Sequence, residues 1–121
     1  MSQESLAALI TLLAICAISL LIAGVTKYRP PHAINLLYGY RTGRSMRTPA
    51  TWQEANRYFA EYFWRLSCGL PALALGAFLL MRDGWAVALV LGGWILGLGI
   101  GVWQTERRLQ RRFDEQGQPR T

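Results

Sequence analysis

From Ser5 to Thr26 this chain carries no charged residue, and that run most constrains what it can fold into. Within it, Leu6 to Val25 is a run of 20 residues of which 11 are Leu, Ile or Val. At about −0.3 to −0.6 kcal/mol for each such side chain, the run favours a bilayer by roughly 5 kcal/mol. At the rise of an α-helix it spans about 30 Å, the thickness of a hydrocarbon core. We expect a first transmembrane helix over residues 6–26. A cleaved signal peptide is not expected, because Met1-Ser2-Gln3-Glu4 has no Lys or Arg and the apolar run is too long. Ile15 before Cys16 is too bulky for a lipoprotein cleavage site.

A second uncharged run, Gly84 to Thr105, is 22 residues long and ends at Glu106-Arg107-Arg108. Its Trp85 and Trp103 stand 18 residues apart, about 27 Å along a helix, as two interfacial aromatic anchors would. Between the two runs, Leu66 to Met81 is uncharged for 16 residues but contains Pro71 and begins at Arg65. Alone it is a marginal span. Arg82-Asp83-Gly84 makes a tight hairpin with the next span, which carries it into the membrane, and a proline is tolerated there. The expected architecture is therefore an all-α membrane protein, a single domain over 1–121 with spans at approximately 6–26, 62–81 and 85–104.

The chain's 13 Lys and Arg against 7 Asp and Glu give a net charge of +6 and a pI near 10. Such a balance ordinarily suggests nucleic-acid binding. The positions argue otherwise. Seven basic residues lie from Lys27 to Arg65, five from Arg107 to Arg120, and one, Arg82, in the hairpin. Under the positive-inside rule, the N-terminus faces out, while the 27–61 loop and the 105–121 tail are cytoplasmic. With one His and two Cys there is no metal-ligand set, and no nucleophile–base arrangement or phosphate loop appears. No enzyme activity, cofactor or nucleic-acid partner is expected. The tail reads as a basic stop against anionic lipid.

The loop is patterned rather than a plain connector. Pro30-Pro31 stops the first helix, Gly39 between two tyrosines marks a turn, and Arg41-Thr42-Gly43-Arg44-Ser45-Met46-Arg47 is basic and turn-rich. A helix then starts, capped either by Thr48 ahead of Pro49 or by Thr51 in a box with Glu54. Glu54, Arg57, Glu61 and Arg65 form a charged stripe, with Arg57–Glu61 and Glu61–Arg65 pairs expected. Trp52, Asn56, Phe59 and Phe63 form another, apolar except for Asn56. This is an amphipathic interfacial helix leading into the second span.

Asn35-Leu36-Leu37-Tyr38-Gly39-Tyr40-Arg41-Thr42 followed by Thr51-Trp52-Gln53-Glu54-Ala55-Asn56-Arg57 resembles the SdpI family of bacterial integral membrane proteins. Asn35, Gly39, Tyr40, Arg41, Thr42, Trp52 and Asn56 carry the match. The closest resemblance runs from Asn35 to Met81. The family's founding member is an immunity protein against a secreted killing peptide and takes part in signalling that peptide's presence. It also carries additional spans ahead of this module. The resemblance implies a multi-pass inner-membrane protein whose partner, besides the bilayer, is a peptide toxin or another membrane protein. A non-catalytic accessory subunit packing against a transporter or sensor is the alternative.

Two further expectations concern side chains. Arg41 is expected to dock back and pair with Asn56 or with a lipid or peptide headgroup, held by Gly39 and oriented by Asn35. Gly93, Gly97 and Gly101 recur every four residues and permit close helix approach. Packing within the bundle is favoured over a homo-oligomer.

Overall fold

A computed structural model describes residues 2–35 and 38–120; Leu36 and Leu37 of the motif lie outside the described residues. It contains three helices, α1 (Gln3–Tyr28), α2 (Pro49–Met81) and α3 (Gly84–Arg112). Each is long and apolar enough to cross a membrane. At 26, 33 and 29 residues they measure about 39, 50 and 44 Å, so α2 and α3 outrun a hydrocarbon core of about 30 Å. The surplus of both lies at the end bearing the 29–48 loop.

At the other end, the hairpin closes as expected. Arg82 adopts a left-handed conformation (φ 54°) and its N–H bonds to the Phe78 carbonyl, while the Asp83 side chain caps α3 by accepting from the Trp85 N–H. The Ser5 hydroxyl donates to the Arg82 carbonyl at 2.7 Å, fixing the start of α1 beside this hairpin. Pro71 deprives the Ser67 carbonyl of its helical partner, yet α2 continues through it. Midway along the bundle, the Ser19 and Ser67 hydroxyls meet at 2.6 Å and the Trp94 indole donates to Ser19 at 3.1 Å. That node ties all three helices at one level.

Leu12, Cys16, Leu70, Ala74, Ala77, Ala86 and Val90 form the buried core of the bundle. The perimeter is apolar too: Leu21 is 68% exposed, Leu80 83% and Ile95 64%. Such a surface is stable only against hydrocarbon. Trp85 and Trp103 project from the two ends of α3, as interfacial anchors do.

The glycine face of α3 meets α2. A Cβ on Gly93 would sit 3.2 Å from the end of Leu73, and one on Gly97 would sit 2.8 Å from the end of Leu66. At Gly101 it would strike the Tyr62 ring. That ring cannot swing away, because its hydroxyl donates to the Gly97 carbonyl at 2.6 Å. Leucine termini can yield, but an anchored ring cannot, so alanine substitutions should rank in cost as Gly101, then Gly97, then Gly93. Gly101→Ala is expected to cost about 1–3 kcal/mol, and Gly93→Ala to be near neutral, read as thermal midpoints in detergent. Gly97→Leu should lower folded yield; lost crosslinked dimers at normal monomer levels would contradict the packing seen here.

The amphipathic stretch runs straight into the second span as one uninterrupted helix. Thr48 resolves the two capping alternatives. It caps α2 in a reciprocal box with Thr51 at the third position, and Pro49 opens the first turn. Glu54 is therefore released from capping. It bonds Arg57 at 2.9 Å and reaches across to Arg108 on α3. Burial alone would raise its carboxyl, but the hydrogen bonds from Arg108 and Arg57 outweigh that and hold it below its usual range. The Glu61–Arg65 pair forms at 3.7 Å, whereas Arg57 takes Glu54 rather than Glu61.

The tail does more than stop α3. Asp114 organises a tight turn by accepting from the Gln116 and Gln118 N–H groups, and Phe113 pairs with Pro119. Gly117 (φ 83°) sits against Arg47 and Thr48, whose hydroxyl donates to the Gly117 carbonyl at 2.9 Å. The tail thus folds back onto the start of α2 and closes a cap around Tyr40, Ala55, Leu109 and Phe113.

Candidate functional site

The motif residues converge in this cap. Asn56, on the first turns of α2, is 6% exposed and clasps the loop. Its Oδ1 accepts the Tyr40 N–H at 2.7 Å, and its Nδ2 donates to the Tyr40 carbonyl at 3.3 Å and the Trp52 carbonyl at 3.0 Å. The amide thus satisfies both main-chain groups of one residue from a separate segment. One turn earlier, fully buried Trp52 donates its indole N–H to the Pro31 carbonyl at 2.8 Å, holding the end of the Pro-Pro segment.

Gly39 passes between these two anchors with φ 111°. A Cβ there would lie 2.6 Å from Asn56 Oδ1 and 2.7 Å from the Pro31 ring. Both the dihedral and the space require glycine. Ahead of it, Asn35 makes a local turn, donating to the Ala33 carbonyl at 3.0 Å and accepting the Tyr38 N–H at 2.9 Å. After it, Thr42 and Ser45 bond reciprocally through main chain and hydroxyl, at 2.8 and 3.1 Å. Buried Ser45 also donates to the Tyr40 carbonyl, and Thr51 donates to the Ser45 carbonyl.

Tyr40 ties the clasp to α3. Its hydroxyl donates to Glu106 at 2.7 Å and lies 3.3 Å from the Val102 carbonyl, and its ring packs on Phe59 at 5.0 Å. Burial, followed by the bond to and charge of Glu106, pushes the phenol well above its ordinary range, so it stays a protonated donor. Glu106 also receives Arg44 at 3.3 Å.

Arg41 does not join the clasp. Its side chain is exposed and forms no hydrogen bond or ion pair with any described residue, and the Asn56 amide is already fully engaged by Tyr40 and Trp52. In the extended segment at 40–42, Tyr40 turns inward and Arg41 therefore turns out. The expected Arg41–Asn56 pair is corrected accordingly. Sequence reasoning also missed the Pro31 carbonyl, Ser45, Thr51 as a bridge to the loop, and Glu106. Only Glu106 left a trace, as an acid standing alone before a run of arginines.

Beside the clasp lies an apolar cavity of about 500 Å³, within the range of about 300–1,000 Å³ common for ligand sites. Leu21 and Val25 of α1 and Phe59 and Phe63 of α2 form its walls, and Tyr40 and Asn56 give it a polar end. His32 is exposed in a neighbouring cleft. No cluster of three His, Cys, Asp or Glu able to hold a metal occurs among the described residues.

Fold and site together define a small multi-pass membrane protein whose three spans carry a polar clasp and an apolar cavity at one membrane face. The chain belongs to the SdpI/YfhL protein family, whose model matches residues 32–103, from the loop through most of α3. It is similar to an uncharacterized protein YfhL of Bacillus subtilis (strain 168), with 38% identity over 103 residues, covering 84% of this chain and 89% of that protein. No solved structure matches the chain.

Proposed function

We propose that this protein acts without catalysis in a bacterial inner membrane, conferring resistance to a membrane-active peptide or sensing it. The observation that carries this reading is the cavity built on the family motif. Gly39, Tyr40 and Asn56 frame an apolar volume open to the membrane-facing surface, which suits an apolar peptide segment arriving through the bilayer. Arg41, left without a protein partner, is free to meet the polar end of such a peptide. The orientation that fits is N-terminus out and C-terminus cytoplasmic, supported by twelve of the 13 basic residues falling in the loop, the first half of α2 and the tail. A reporter fused at the C-terminus should be active only in the cytoplasm.

The test is expression in a peptide-sensitive host followed by challenge with the killing peptide at matched membrane abundance. Wild type is expected to raise the inhibitory concentration, and Asn56→Ala and Arg41→Ala to lose about tenfold of that protection, equivalent to about 1.4 kcal/mol. Protection by Arg41→Lys and Arg41→Ala equal to wild type would remove Arg41 from the site. No protection by wild type would reject the immunity reading.

A further inference from the structure

A second feature at the loop end stands apart from the clasp. α3 ends in Arg107, Arg108, Arg111 and Arg112, which with Tyr58 and Gln104 line a polar groove of about 440 Å³ between α2 and α3. No acidic residue lines it. Arg108 is neutralised by Glu54 and stacks over the Tyr58 ring at 4.8 Å. Arg107 stacks over Trp103 at 5.1 Å but has no acidic partner, and the Arg111 and Arg112 side chains have no hydrogen bond or ion pair with any described residue. Arg107/Arg111 and Arg108/Arg112 are spaced i,i+4, where like charges repel on a helix surface.

We propose that this groove binds the phosphate of an anionic phospholipid in the leaflet at the loop end. Depth selects the ligand. Trp103, 59% exposed, is the interfacial anchor, and Arg107 lies one turn, about 6 Å, beyond it, at the level of lipid phosphates. Exposed Leu96 and Ile100 continue the same helix toward the hydrocarbon, where acyl chains would lie. A guanidinium fork engages phosphate oxygens in pairs, which a point charge cannot do. Basic pockets between membrane helices bind lipid headgroups in this way, and the bound anion would relieve the repulsion along α3.

The full chain, purified in neutral detergent, is titrated with phosphatidylglycerol, phosphatidylcholine and inorganic phosphate, with thermal midpoint and retained lipid as readouts. Phosphatidylglycerol alone should raise the midpoint. R107Q/R111Q/R112Q should lose about tenfold of the apparent phosphatidylglycerol affinity, while R29Q/R41Q/R47Q, which removes the same charge from the loop, should keep it. If the glutamine set does not accumulate, R107K/R111K/R112K carries the test, because it keeps the charge and loses the fork. It should lose affinity by about threefold or more. Equal effects of the two lipids, equal stabilisation by inorganic phosphate, an equal loss in the loop set, or full affinity in the lysine set would each overturn the proposal.

Discussion

Asn56→Leu is expected to unfasten the loop-end cap while leaving the three spans inserted. The substitution keeps side-chain volume but removes three hydrogen bonds. The Tyr40 carbonyl retains Ser45 and the Trp52 carbonyl belongs to a helix, but the buried Tyr40 N–H is left without an acceptor. One unpaired buried donor plus the lost bonds should cost about 2–4 kcal/mol. With Tyr40 released, its bond to Glu106 weakens and the loop detaches from α3. Hydrogen exchange should show the Tyr40 amide losing protection and the 38–48 segment becoming protease-sensitive. Unchanged protection there would mean that the clasp is not what holds the loop.

Gly39→Ala should be at least as damaging, for a different reason. Alanine at φ 111° adopts a backbone region costing about 1–3 kcal/mol. Its Cβ also meets two groups that cannot yield, the Pro31 ring and an Asn56 oxygen fixed by its own bonds. Overpacking adds about 1–3 kcal/mol, for a total of about 3–5 kcal/mol. Gly43→Ala is the internal control, because nothing lies within 4 Å of a Cβ at that position. Gly43→Ala is expected to melt with wild type in detergent while Gly39→Ala melts well below it. Similar midpoints for the two would show that the close approach at Gly39 is not limiting.

Much of this architecture was legible in single residues and short windows. The uncharged runs placed the spans, Pro30-Pro31 ended α1, Thr48-Pro49 opened α2, and Arg82-Asp83-Gly84 turned it into α3. Gly93, Gly97 and Gly101 fell on the packed face, where intrabundle contact was expected. The motif residues clustered as well, with Arg41 the exception. What could not be read was pairing. Asn56 was legible as the odd polar residue on an aromatic stripe, but its partner is Tyr40 main chain, 16 residues away, not the nearby cation. Tyr40 finds Glu106 at a separation of 66 residues, and Thr48 finds Gly117 at 69. The tail, which by composition is a basic stop, owes its fold-back to the Asp114 turn and to a surface on α2 that exists only once the bundle has assembled.

The sequence by itself determined that this chain enters a membrane, how many times, and where each helix starts and stops. Those outcomes rest on transfer free energy and helix capping, which add up locally along the chain. Tertiary structure alone decided which polar groups meet, that Arg41 points away from the bundle, and that a cavity opens between α1 and α2. A hydrogen bond requires two groups within about 3 Å at a set angle, and for segments far apart in sequence only the packed helices fix that distance.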